Sequence, residues 1–258
     1  QGLAAVLGAG HHYVGQPKLW GMIVYFLLLI AWREGWLKYL ANRWQKGLML
    51  AAAAAILCWS LPSTPVHDQV TFLDVGQGSS AVAQSAGGRV VVFDSGIAAD
   101  TTANYLRYCG INTIDAVVLS HGDADHSTGL ANIFRDFRVD YFFLAANAQE
   151  MPEVQTLIRS AQAQQTHIFL VDQESTLRLD DSHYLTVGSF GAAGEDSNAQ
   201  EVIASWQSAG GSCAFPGDST PEGLEKWLAN AERTVDVWAV PHHGSKNSCY
   251  PDLYQQLS

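Results

Sequence analysis

The stretch Ser120-His121-Gly122-Asp123-Ala124-Asp125-His126 places four potential metal ligands within six residues. Imidazole combined with carboxylate suits a borderline ion such as Zn²⁺ or Mn²⁺, whereas Ca²⁺ prefers a shell of oxygens. The stretch follows directly on the apolar run Asp115 to Ser120, which reads as a buried strand, so its side chains leave the end of a sheet in a tight loop. In an extended loop, alternation sets His121, Asp123 and Asp125 on one side, and His126 adds an adjacent nitrogen.

Three further stretches end β runs with polar groups that could converge on that loop. Phe93-Asp94-Ser95-Gly96 places Asp94 before a turn, as a turn-former or as a residue orienting a ligand. Phe215-Pro216-Gly217-Asp218-Ser219 places Asp218 likewise, here as a ligand, and Pro241-His242-His243-Gly244 places two imidazoles after the run 235–240. Ser120 lacks the setting of a nucleophile elbow. His11 and His12, with no carboxylate or Cys nearby, read as loop residues. The four cysteines (Cys58, Cys109, Cys213, Cys249) show no CxxC spacing, which excludes zinc-finger and thioredoxin readings; a disulfide among the last three is an option in an oxidising compartment.

The elements that must position these residues begin at Gln69. Strands are predicted at 70–75, 80–84, 89–94, 115–120, 139–145, 167–171, 175–179, 184–190, 201–206, 212–218 and 235–240. Helices are predicted at 102–109, 129–137, 152–164 and 221–231. Such an order suits two sheets enclosed by helices.

Charge divides the chain. Of 14 basic and 25 acidic residues, residues 1–62 hold Lys18, Arg33, Lys38, Arg43 and Lys46 against Glu34 alone, a net of +4; the remainder carries −15, and the whole −11. Collagen-like, disordered and disulfide-scaffold classes are excluded by composition. Five of the eight Trp (Trp20, Trp32, Trp36, Trp44, Trp59) lie in the basic quarter, flanking two uncharged segments of about 15 residues. Residues 1–62 are expected to be membrane-embedded, a short transmembrane helical hairpin with its basic connection in the cytoplasm and the following domain on the other side. No secretory signal is read, and a chain without an initiator Met is expected to be a piece of a longer protein.

Together, the loop residues resemble the metallo-β-lactamase superfamily, an α/β fold built as a four-layer αββα sandwich with one or two metals at one edge. FLDVGQG, VVFDSG, LSHGDADHSTGL, FPGDS and VPHHGSKNS are similar, more narrowly, to the C-terminal hydrolase domain of ComEC-type competence proteins, inner-membrane DNA-uptake channels. The resemblance covers about residues 69–258, and 63–258 is taken as the hydrolase domain, C-terminally incomplete. It implies two divalent ions (Zn or Mn): His121 and Asp123 on one, Asp125 and His126 on the other, and Asp218 bridging. His242 or His243 would contact the second ion or the substrate phosphate, and Asp94 would orient the loop. Asp125, Asp218 and His243 are the implied catalytic residues.

The implied activity is a metal-dependent phosphodiesterase or nuclease that degrades the non-transported strand in natural transformation. Its implied partners are DNA, membrane lipid and the remaining channel domain, with the hydrolase domain on the extracytoplasmic side of the inner membrane. Two positions depart from the family pattern: Ser79 stands where an Asp is usual, and the further Gly-His-Pro motif does not follow. Asp196-Ser197-Asn198 also offers no His where other superfamily members supply one. A domain at −15 repels DNA, which keeps open hydrolysis of another phosphodiester, such as a choline-phosphate-decorated wall polymer, and a catalytically inactive channel-gating module.

Overall fold

A computed structural model describes residues 13, 15–36, 43–60, 65–190, 201–229 and 235–245. His11, His12, Asp196 to Asn198 and Cys249 lie outside the described residues. The chain divides into two compact units, the N-terminal helices with Leu106–Asn112 and the rest.

In the first unit, helix α1 (Leu19–Arg33) and helix α2 (Arg43–Ser60) pack on each other. Gly21, Leu28, Ala53 and Ala54 line the cleft between them. Small residues allow that approach, while Phe26, Leu27, Trp32 and Trp44 stay exposed. At 1.5 Å per residue α1 extends about 22 Å, short of a hydrocarbon core of roughly 30 Å. Among the described residues, no helix is long and apolar enough to cross a membrane. The transmembrane hairpin expected from the sequence is therefore found as a helix pair but not as spans.

The second unit is built on two sheets. Strands β1 (Gln69–Phe72), β2 (Ala81–Gln84), β3 (Val90–Phe93), β4 (Thr113–Leu119), β5 (Arg138–Ala145) and β6 (His167–Val171) form one in that order. Strands β7 (Ser175–Arg178), β8 (Tyr184–Ser189), β9 (Val202–Ser208), β10 (Gly211–Phe215) and β11 (Val237–Trp238) form the other, ordered β11-β10-β9-β8-β7. β3 to β6 run parallel; β3 and the C-terminal halves of β4 and β5 are buried on both faces, which is why they read as continuous rather than alternating, whereas β6 at the sheet edge leaves Phe169 and Leu170 exposed.

Period-2 alternation assigns the faces. Phe215 turns inward and stacks on Phe93 of the other sheet, with centroids 3.7 Å apart. Its neighbour Ala214, with Ile203, turns outward against Leu224 and Trp227 of helix α7 (Pro221–Ala229). On the first sheet, Phe142 meets Phe134 edge-on. Phe134 belongs to helix α5 (Leu130–Asp136), which packs with helix α6 (Pro152–Ala163). Layers of helix, sheet, sheet and helix result, an α/β sandwich as expected. Helix α3 (Thr101–Tyr108) follows β3, and helix α4 (Ala124–Ser127) follows β4. Cys109 and Cys213 are both thiols, and burial pushes that of Cys213 up to about 12.

An ion cluster around the buried His183, with two partly exposed carboxylates, lies away from the ligand-bearing loops. His183 donates toward Asp180 through Nδ1 (2.7 Å) and faces Asp68 through Nε2 (3.0 Å), with its ring stacked on Trp206. Burial alone would lower its pKa, but the bonds to Asp180 and Asp68 outweigh it and raise the value. A raised folded value means the stabilisation is full below the ordinary imidazole pKa and fades as pH rises through the folded value. His183→Ala is expected to cost about 2 kcal/mol at pH 6. Urea unfolding of the metal-free protein should show that this difference shrinks as the pH is raised.

Candidate metal centre

Every ligand-bearing loop leaves a strand end on the same side of the sandwich. After β4, the Ser120 amide donates to Asp94 Oδ1 (2.8 Å) and the Ser120 hydroxyl to Asp94 Oδ2 (2.9 Å). Asp94 itself sits at φ 52°, a left-handed conformation that Asp tolerates better than most residues. Its Oδ2 also lies 2.8 Å from His126 Nδ1, so one buried carboxylate holds the strand end and a ligand histidine together. Ser120 Oγ lies 3.0 Å from His121 Nδ1 and 3.2 Å from His126 Nδ1.

The loop is not extended. Residues 124–127 form one helical turn, with the His126 and Ser127 amides donating back to the Asp123 carbonyl. That turn breaks the expected alternation. It keeps Asp125 with His121, brings His126 to the same side, and leaves Asp123 at the helix start, its side chain 47% exposed and 3.6 Å from His121 Nε2. Asp123 instead lines a cleft of about 570 Å³ with Ser127, Thr128, Met151 and Glu153. Gly78 makes room for the turn: at φ 116° any side chain there would run into the Asp125 carbonyl. Its neighbour Ser79 supplies an amide to the same carbonyl (3.2 Å).

Among the described residues two groups of ligand atoms result, each within 4.8 Å: His121, Asp125 and His126, and His126, Asp218 and His243. His126 belongs to both. Its Nε2 lies 3.2 Å from Asp218 Oδ1 and 3.3 Å from His243 Nε2. His243 Nε2 lies 3.5 Å from Asp218 Oδ1 and 3.6 Å from Asp125 Oδ2. His242 and His243 take consecutive left-handed conformations (φ 48° and 53°), which send the two rings apart. His242 reaches only 3.7 Å from Asp218 Oδ2 and joins neither group.

Three observations fit a bound cation. The buried Asp218 Oδ1 is approached by the Nε2 atoms of His126 and His243, those two nitrogens lie only 3.3 Å apart, and the donors are nitrogen and carboxylate oxygen. The electrostatics agree. Burial would lower the pKa of His126, but Asp94 and Asp218 carry it up to about 11. Burial and the neighbouring His126 push His121 down, toward the neutral form that binds metal. For Asp218, burial acts upward and the bond to His126 prevails, lowering it.

The Metallo-beta-lactamase superfamily pattern matches residues 73–254. The chain belongs to the metallo-β-lactamase superfamily. It is 22% identical over 229 residues to ComE operon protein 3 of Bacillus subtilis (strain 168), across 81% of this chain and 29% of that protein. The chain thus spans less than a third of that relative's length. Among solved structures it is similar to CmlA, a diiron β-hydroxylase from Streptomyces venezuelae (22% identity, TM-score 0.48, covering 72% of this chain and 37% of that one). It is also similar to a metallo-β-lactamase of Cronobacter sakazakii (12% identity, TM-score 0.45, covering 62% and 66%).

Within this superfamily site one residue escapes sequence reasoning. Glu201 is fully buried at the entry to β9; its Oε2 accepts the Asp218 amide at 2.6 Å, and its Oε1 faces His121 Nδ1 at 3.7 Å. Burial and then Asp218 push its carboxyl well above the usual carboxylate range. The only trace in sequence is a carboxylate heading the unbroken apolar run Val202 to Ala204. That pattern equally describes a solvated strand end.

Proposed function

We propose that this domain is a metal-dependent phosphodiesterase acting on DNA during its uptake, within a longer membrane protein. The observation that carries the reading is the convergence of two ligand groups on His126, with the buried Asp218 Oδ1 facing the Nε2 atoms of both His126 and His243. The match to ComE operon protein 3 supports the uptake setting. The outward apolar faces of α1 and α2, with Lys18 and Arg33 at the ends of α1, support contact with lipid of the inner membrane and with further segments of the same protein. On this reading the domain lies on the extracytoplasmic side, and the non-transported strand is the substrate.

His126, through Nε2, would serve one divalent ion (Zn or Mn) together with either His121 and Asp125 or Asp218 and His243, the remaining pair would hold a second, and Asp123 and His242 would serve from the edge. Such ions supply Lewis acidity toward water and phosphoryl oxygen. The protein's own groups divide into floor and mouth. His126 and Asp218 are buried and fix the geometry, whereas Asp125 and His243 are partly exposed and face the solvent from which a phosphodiester arrives. Asp125 is placed to take a proton from the attacking water, and His243 to donate a hydrogen bond to phosphoryl oxygen.

Mn²⁺- or Zn²⁺-dependent cleavage of DNA by the full-length protein is the test. Asp125→Ala is expected to slow it about 10²- to 10⁴-fold, and unchanged cleavage in that variant overturns the site. A second phosphodiester is favoured by one feature: the cleft beside Asp123 is lined by Asp123 and Glu153 and by no basic residue, which disfavours a polyanion. Cleavage of a neutral-headed or cationic phosphodiester with no cleavage of DNA would select it. Metal content near zero in the full-length protein would leave only the inactive-module reading.

A further inference from the structure

We infer that Glu201 is a positioning residue that clamps the two halves of the centre together without binding metal itself. The inference rests on the metal-site reading above and adds to it a residue outside every ligand motif.

The centre is split between sheets. His121, Asp125 and His126 hang from β4 of the first sheet, and Asp218 follows β10 of the second. Each half must be held within the few ångströms that separate its ligands from the other. Metal alone could do that only after binding, so a preformed centre needs protein contacts across the gap. β9 provides them at its first residues. The Val202 amide donates to the Ser120 carbonyl at 2.9 Å, which fixes the start of β9 against the His121 loop. From that anchor, Glu201 Oε2 takes the amide of Asp218 at 2.6 Å, and Oε1 lies 3.7 Å from His121 Nδ1.

Backbone packs closely against the carboxyl. Gly217, at φ 59°, lets the backbone pass so closely that a Cβ there would lie 2.8 Å from Glu201 Oε2 and 2.7 Å from Ser120 Cβ. The glycine before Asp218 and the serine before His121 thus meet at Glu201. Its Oε1 is buried with no hydrogen-bond partner, a cost that only a structural or functional need retains. Glu201 belongs to neither ligand group, so its contribution is to place Asp218 and to face His121 from the side opposite Nε2.

Two readouts on the full-length protein test this, one of them independent of metal. In the metal-free state, Glu201→Ala should speed hydrogen exchange of the Asp218 amide by at least about tenfold, while Glu201→Gln, which keeps an acceptor oxygen, should stay near wild type. In chelator competition with Zn²⁺, Glu201→Ala should bind roughly 10- to 100-fold more weakly and Glu201→Gln within a few-fold of wild type. Unchanged Asp218 exchange in Glu201→Ala, or Zn²⁺ binding as weak in Glu201→Gln as in Glu201→Ala, overturns the clamp. Should Glu201→Ala not fold, the glutamine variant decides alone: slow exchange with tight Zn²⁺ supports the clamp, and fast exchange refutes it. Wild-type protein that binds no Zn²⁺ refutes the metal-site reading, while the exchange comparison still judges the clamp.

Discussion

Replacing Asp218 with alanine is expected to weaken metal binding by more than the roughly 10- to 100-fold that loss of an outer hydrogen-bond partner costs, and to abolish detectable hydrolysis. The substitution removes the atom on which His126 and His243 converge, at 3.2 and 3.5 Å. It also changes how protons compete with metal. His126 is held up to about 11 by Asp94 and Asp218, so at neutral pH an ion must displace a proton from its ring. Wild-type affinity should therefore rise with pH, by up to about tenfold per unit for a single displaced proton, until pH approaches the folded pKa. Without Asp218, one of the groups raising His126 is gone, and the rise should level off at lower pH. Isothermal titration with Zn²⁺ in buffers of different ionisation enthalpy measures both the affinity and the protons released. Wild-type affinity and proton release in Asp218→Ala would show that Asp218 lies outside the centre.

Much of the architecture is legible from apolar runs. β4 and β5 announce themselves because the stretches of parallel strand buried on both faces admit only apolar side chains, while β6, at the sheet edge with Phe169 and Leu170 exposed, coincides with the predicted 167–171 through its apolar run alone. The ligand loops are legible because Gly, Asp and His cluster where those runs stop. The turn at Ala124–Ser127 is not, since four residues are too few for a periodicity, and the turn depends on room left by Gly78 from a distant loop. For the same reason the partition of ligands differs from the expectation: His121 is grouped with Asp125 and His126, and Asp123 faces a cleft. Glu201 is illegible for a further reason, in that its role is defined by Asp218 and His121, both remote in sequence. The N-terminal helices were legible as helices from their uncharged runs, but length in a folded helix is set by where charges and turns fall, and α1 stops at Arg33.

Asp94→Asn should separate fold from metal binding more cleanly than any truncation. Asparagine has nearly the same shape and also tolerates the φ of 52° found here, so the backbone turn should persist. Its carbonyl oxygen can still accept the Ser120 amide, now made by Oδ1 at 2.8 Å. Its amide group then occupies the place of Oδ2, which at present faces the Ser120 hydroxyl at 2.9 Å and His126 Nδ1 at 2.8 Å. A donor there demands an acceptor at Nδ1, which moves the imidazole proton to Nε2, the nitrogen that faces Asp218 and His243. The expected result is a loss of roughly 10- to 100-fold in metal affinity. Asp94→Ala, by contrast, strips the acceptor from a charged histidine and two Ser120 donors in a buried site, and should cost about 3–5 kcal/mol of folding stability. Urea unfolding of the metal-free variants, read beside Zn²⁺ affinity, distinguishes the two effects. Equal destabilisation by both substitutions, with Zn²⁺ affinity unchanged in Asp94→Asn, would mean that the carboxylate acts on the strand end alone and leaves the His126 tautomer to other groups.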